Sequence, residues 1–274
     1  SEVTGSVSQK WRATTLSGAY IFSTEHDYTS HNVAFGVAQD LFQRNTTLAF
    51  GYSLSLNDVG RTGDRAFHRS LDVHNLDASW TQVLRRSTVA QLSYTFQYDS
   101  GYQASPYRFV RIETMDLQQT ELKVPETDPL ERFRHAIVAG LNQHVGQGSS
   151  VQADYRIYFD SWGLIAHTLQ LRYFVTFGDF TVRLRERFYY QSGANFFRSH
   201  YTLDNLQPFV TADRELSTFW SNVAGIKLSW RLPVLDRALT AEVKADVFYF
   251  YYIDFALLSS RVGADLEGGL SLAF

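Results

Sequence analysis

Segments of about ten residues in which apolar and polar side chains strictly alternate recur along the chain, and no run reaches the ~18 apolar residues that a membrane helix requires. An extended segment with this period has one apolar and one polar face. The segments predict strands near 16–26, 31–41, 45–56, 71–84, 87–99, 135–145, 149–160, 163–177, 179–191, 217–231, 237–251 and 256–274. Their connectors alternate too. Short ones fall at 42–44, 85–86, 146–148, 178 and 232–236, and most of the others are longer, the longest being 100–134 and 192–215. Short turns on one side and long loops on the other are the arrangement of an antiparallel transmembrane β-barrel of the outer-membrane type, with the turns periplasmic and the loops extracellular. A soluble sandwich has no reason to obey that alternation. Residues 1–274 are therefore read as one all-β barrel domain with twelve strands. Residues 1–12 (SEVTGSVSQKWR) alternate as well and are either an additional strand or an unpaired leader.

Charge decides which face meets which solvent. In 149–160, Val151, Ala153, Tyr155, Ile157 and Phe159 oppose Gln152, Asp154, Arg156, Tyr158 and Asp160. In 179–191, Val182, Leu184, Phe188 and Tyr190 oppose Thr181, Arg183, Arg185, Arg187 and Tyr189. Three alternate arginines do not fill a sandwich core, because an unpaired buried charge costs several kcal/mol, whereas a wet or salt-bridged lumen accommodates them. The last two strands repeat the division, with Val243 and Val247 against Glu242, Lys244 and Asp246, and Val262, Leu266 and Leu270 against Arg261, Asp265 and Glu267. With Arg172, Lys227 and Asp77 added, the inward set has eight bases against seven acids. A pore selecting one sign of solute is lined by the complementary sign. Near balance argues instead for cross-strand pairs that narrow the bore, although a diffusive, porin-like pore is the standing alternative.

Composition supports the membrane reading. Sixteen Tyr, twenty-one Phe and five Trp suit pleated strands and interfacial belts, and Trp80, Trp220, Trp230, Tyr249 and Tyr251 share the lipid-facing parity. The partners expected are outer-membrane lipids. The C-terminal alternation ending in Phe274 resembles the signal read by the barrel assembly machinery during biogenesis. A net charge of −3 offers no footprint for nucleic acid. Cysteine is absent, which excludes disulfides and thiolate metal sites. The opening residues lack a charged and apolar leader, so a secretory signal is not expected within them. Glu186 breaks the rule by falling on the lipid parity. Either a bulge returns it to the lumen, or it forms with Asn222 an outward polar patch that a protein partner or a second copy satisfies.

STEHDYTSH at 23–31, GYQASPYR at 101–108, YRIYFDSWG at 155–163, RERFYYQSGANFF at 185–197 and TADRELSTF at 211–219 together resemble a bacterial family of outer-membrane barrels known as a domain of unknown function. The resemblance implies residence in the cell outer membrane and supplies no reaction or cofactor. It also implies further strands ahead of the STEHDYTSH-like segment, and hence a larger even-numbered barrel.

Candidate chemistry is sparse. His26, His31, His68 and His200 lie near the loop ends of their strands with Glu25, Asp27 and Asp204 nearby. Imidazoles beside carboxylates suit a transition metal, but the spacings match no closed-site motif and solvated loop histidines are the commoner case. His144 with Ser149 and Ser150, or His167 with Thr168, supplies no triad of nucleophile, base and orienting group. The sequence therefore points to a non-enzymatic barrel, acting as a narrow channel or as a structural component of a larger envelope complex. The alternative is a surface-binding barrel whose long loops hold a ligand, metal or partner protein.

Overall fold

A computed structural model describes residues 1–114, 121–234 and 238–272. Thirteen strands form one antiparallel meander: β1 (Glu2–Trp11), β2 (Thr14–Thr24), β3 (Tyr28–Leu41), β4 (Thr46–Arg61), β5 (Asp64–Arg85), β6 (Thr88–Gly101), β9 (Glu131–Gly146), β10 (Ser149–Asp160), β11 (Ile165–Phe177), β12 (Phe180–Gln191), β14 (Phe219–Arg231), β15 (Leu239–Tyr252) and β16 (Ser260–Leu272). Three further strands, β7 (Phe109–Glu113), β8 (Glu121–Pro125) and β13 (Tyr201–Thr202), form a separate sheet in the order β13-β7-β8. All twelve segments expected from alternation are strands, and residues 2–11 form the additional one, paired with β2 from Glu2↔Ser23 to Trp11↔Thr14.

Among the described residues β1 pairs only with β2 and β16 only with β15, so the sheet has two free edges. Thirteen strands alternating in direction leave those edges running the same way. Antiparallel closure therefore needs an odd number of further strands.

One expectation is corrected and one alternative is removed. The stretch between the strands expected at 45–56 and 71–84, which includes VGRTGDRAFHR (59–69), falls among the longer connectors by alternation, yet it is a hairpin: β4 runs to Arg61 and β5 starts at Asp64. Only Thr62 and Gly63 intervene, with Gly63 at φ +86° and the Arg61–Asp64 ion pair closing the turn. The polar residues that suggested a loop are those of a hairpin projecting beyond the apolar zone. Glu186 is not turned inward by a bulge either, because the β12–β14 ladder runs without a register shift from Phe180↔Trp230 to Gln191↔Phe219. Phe274 lies outside the described residues.

The sheet inverts the pattern of a water-soluble protein. Its apolar face carries exposed side chains such as Leu92, Leu171, Leu184, Ile226 and Val247. The buried hydrophobic residues concentrate at the end where the long connectors lie. One cluster joins Trp162, Leu164, Ala194, Phe196, Phe197 and Leu216, with Tyr158 and Phe255 packed against it. A second joins Val110, Ile112, Tyr201 and Val210. The two longest loops thus pack on each other, tied by the bridge Thr127↔Val210 and by Tyr201↔Ile112.

Candidate functional site

The inner face of β9–β16 is a wall of ion pairs. Arg172 meets Asp154 at 2.5 Å, Arg134 meets Asp99 at 2.7 Å, and Lys227 meets Glu242 at 2.8 Å. Lys244 reaches Asp246, Asp265 and Glu267. Arg185 meets Asp246 at 3.2 Å across the intervening β14. The residue between them in the ladder is Gly225, and a Cβ there would collide with the Asp246 carboxylate. Glycine is what lets this pair span two strand spacings. Asp154 similarly lies over Gly140. Arg261 stacks on Phe250, and Arg156 on Tyr158. Against this wall, β2–β4 present inward Ser17, Ala19, Ala34, Gly36, Ala49 and Gly51.

The long loops are tied to the charged wall. Asp160, whose side chain is fully buried, accepts from Arg132 Nε at 2.9 Å and Tyr158 Oη at 2.6 Å. It also accepts from the backbone N–H groups of Trp162 and Leu164, both at 3.0 Å. Arg132 lies 4.0 Å over the Trp162 ring, which belongs to the first loop cluster. Gln191 donates to the carbonyls of Glu215 and Ser217 in the 192–218 connector. These contacts hold that connector over the end of the inner wall. In the other loop, burial pushes the Asp128 carboxyl up to about 6, reinforced by the negative charge of Glu126. Burial raises Glu126 as well, so this corner takes up a proton more readily than surface acids do.

The outward face carries a periodic feature that sequence reasoning missed. Tyr Oη and His Nδ1 share a hydrogen bond in four successive hairpins: Tyr20–His31 at 2.8 Å, Tyr52–His74 at 2.9 Å, Tyr94–His135 at 2.8 Å and Tyr155–His167 at 2.7 Å. Nearer the short turns, three of these hairpins carry a second pair, with Thr14 donating to Gln39, Thr46 to Gln82 and Thr88 to Gln143, each at 2.6 Å. The signature is Thr-x5-Tyr on the strand leaving a short turn and His-x7-Gln on the strand returning to one. It was hidden because the interval from Tyr to His changes with loop length.

Successive pairs sit at constant height. Tyr20 lies opposite Val33 and then Leu54, and Tyr52 is two residues from Leu54. The same two-residue step over two strands carries Tyr52 to Tyr94 through Leu76 and Phe96, and Tyr94 to Tyr155 through Ile137 and Ile157. One residue per strand, ~3.3 Å along against ~4.8 Å across, is a tilt of about 35°, at the edge of the barrel range. From Thr14 to Thr24, or from Thr88 to Tyr98, whose hydroxyl donates to Glu131, is ten residues, or about 27 Å of height at that tilt. An outer-membrane apolar band is ~25 Å tall. The outward residues within this interval on β2 and β6 are apolar apart from the tyrosines, and those hydroxyls are satisfied by histidine.

Glu186 and Asn222 complete this belt. Continuing the two-residue step from Tyr155 through Leu169 and Phe188 arrives at Glu186, and Asn222 donates to its carboxylate. The exposed carboxylate thus stands where tyrosine stands elsewhere, already paired within the chain. Glu186→Leu should destabilise the protein by about 1–3 kcal/mol, because it leaves the Asn222 amide unsatisfied in the apolar zone. Glu186→Tyr with Asn222→His should restore the stability. Urea unfolding in lipid bilayers reads both, and equal stability of Glu186→Leu and the parent would contradict the pairing.

Of the four histidines only His26 and His68 come together. His31 is taken by Tyr20, His68 faces Asp58 at 2.9 Å, and His200 faces Glu113 at 3.3 Å. His26 and His68 line one cavity between the 25–29 and 58–68 hairpin tips, together with Glu25, Asp27 and Asp58. Among the described residues no group of three or more His, Asp or Glu side chains could hold a metal ion.

A tilted antiparallel meander with an apolar outer face and an ion-paired inner wall is an outer-membrane β-barrel type of fold, and known structures agree. The siderophore receptor PirA from Pseudomonas aeruginosa superposes with a TM-score of 0.63 at 13% identity, over 97% of this chain and 50% of the receptor. BamA from Haemophilus ducreyi lacking POTRA domains 1–3 gives 0.52 at 9% identity, over 99% and 61%. The ferric-catecholate import receptor Fiu from E. coli K12 gives 0.54 at 10% identity, over 99% and 60%. The chain thus spans about half to three fifths of the length of these structures, and the likeness is one of fold. The chain belongs to the family of proteins of unknown function DUF3570, which it matches over residues 1–77 and 71–252. No curated protein matches it in sequence.

Proposed function

We propose that this chain is the greater part of a closed transmembrane barrel of the bacterial outer membrane, completed by an odd number of further strands. Its lumen is narrowed by ion pairs and covered by its own loops. Such a barrel serves as a narrow channel or as a structural component of an envelope complex, not as an open diffusive pore. The observation that supports membrane residence is the level outward band, bounded by Thr–Gln pairs below and by Tyr98–Glu131 and Thr24–Thr29 above. Narrowness is supported by the pairing of most inward charges and by the loop contacts through Asp160 and Gln191. On this reading the short turns are periplasmic and the packed loops extracellular, and the Glu186–Asn222 pair, satisfied within the chain, is part of the lipid-facing belt. Single-channel recording of the purified protein in planar bilayers is the test. The expected result is little or no steady conductance, and a large ohmic conductance overturns the narrow-lumen reading. The surface-binding alternative is favoured by the buried clusters that order the loops. It predicts that the loops retain a ligand after replacement of the lumen charges.

A further inference from the structure

Most lumen bases have an acid, and two that share one cavity do not. Arg132, Arg134, Arg172, Arg185, Lys227 and Lys244 each meet a carboxylate. Arg156, Arg183, Arg187 and Arg261 have no carboxylate within ion-pair distance among the described residues, and of these Arg156 and Arg187 share one cavity. They flank β11, with Arg156 opposite Thr168 on one side and Arg187 opposite Gln170 on the other. These four side chains, with Val138 and Asp154, line a cavity of about 250 Å³. Asp154 is neutralised by Arg172. Thr168 is only 7% exposed, yet its buried hydroxyl has no hydrogen-bond partner among the described residues. The same-face neighbour of Arg187 two residues along β12 is another cation, Arg185.

Like charges crowded without a counter-charge, beside an orphaned hydroxyl, are unfavourable unless something negative completes them. Guanidinium groups present planar forks of donors that match oxyanions, and a threonine hydroxyl adds a donor between them.

We propose that Arg156, Arg187 and Thr168 form an oxyanion-binding site on the inner wall, one that takes a phosphate or carboxylate group, either free or as the end of a larger solute. The inference rests on the inner face being a water-filled lumen. It does not require conduction, so a barrel that conducts nothing can still bind.

The test is calorimetric titration of the folded full chain in detergent with inorganic phosphate, and with acetate as a separate arm. Phosphate is expected to bind at one site, and Arg156→Gln with Arg187→Gln to weaken it by about tenfold or more. Thr168→Val, nearly isosteric, should weaken it by a smaller factor with folding unchanged. Lys123→Gln, in the exposed part of the loops, should leave it unaltered. Tighter binding of phosphate than of acetate identifies a phosphate site, and the reverse order a carboxylate site. Absence of binding for both anions, or binding unchanged in the double variant, overturns the proposal. Failure of the channel reading would appear instead in the conductance record, with this titration unaffected.

Discussion

Asp160→Ala is expected to destabilise the protein by about 3–5 kcal/mol, the scale for removing one partner of a buried ion pair. The side chain is fully buried and serves five donors at once: Arg132 Nε and Nη2, the Tyr158 hydroxyl and two backbone N–H groups. Truncation leaves the Arg132 guanidinium without its counter-ion and frees the 161–164 turn that carries Trp162 into the loop cluster. The loss should therefore be accompanied by protease sensitivity in the 192–218 connector. Asp160→Asn, which keeps one acceptor oxygen, should lose less. By contrast Asp58→Ala, which removes the exposed partner of His68, should change stability by less than about 1 kcal/mol. Urea unfolding in lipid vesicles, followed by tryptophan fluorescence, measures all three. A small effect at Asp160 would mean that the loops are not held to the wall through this residue.

Leu171→Arg is expected to cost about 2–4 kcal/mol, whereas Ser53→Arg, on the inner face of β4, should cost far less. Leu171 lies on the outward face of β11 between the Tyr–His row and the short-turn end, so an arginine there faces hydrocarbon close to mid-band. Ser53 points inward between Ala34 and Asn75, where a further cation meets water. The penalty should fall steadily as the substitution moves along the outward positions toward Thr14 or Gln143 at the lower belt. Equal costs at 53 and 171 would show that the two faces do not see different solvents.

The course of the sheet was legible because period-two alternation survives in every strand, from Val151–Phe159 on β10 to Val262–Leu272 on β16. Strand ends were less legible. β4 and β5 continue through a polar hairpin because backbone pairing needs no apolar face, and a loop and a protruding hairpin share the same composition. The charge wall was visible as a list of inward residues but not as partners. Which acid meets Arg185 depends on the register of three strands and on the gap left by Gly225. The Tyr–His belt could have been found by searching for Thr-x5-Tyr and His-x7-Gln. Variable loops between the halves, from the short tip after Thr24 to the long connector after Gly101, broke any fixed-period repeat. His31 consequently looked like a loop ligand although it is a strand residue already engaged by Tyr20. Arg156 and Arg187 were read as members of a balanced network, and only the three-dimensional structure shows that both lack an acid and share one cavity.

The central claim is that one face of this sheet meets lipid and the other meets water. Spin labels placed singly at outward Leu92, Ala139 and Leu171 and at inward Ser93, Val138 and Gln170, with the protein in vesicles, test it most directly. The account predicts that the outward labels are relaxed efficiently by oxygen and poorly by a water-soluble nickel complex, with the inward labels showing the opposite order. Outward labels open to the nickel complex, or the same accessibility at adjacent positions, would contradict it.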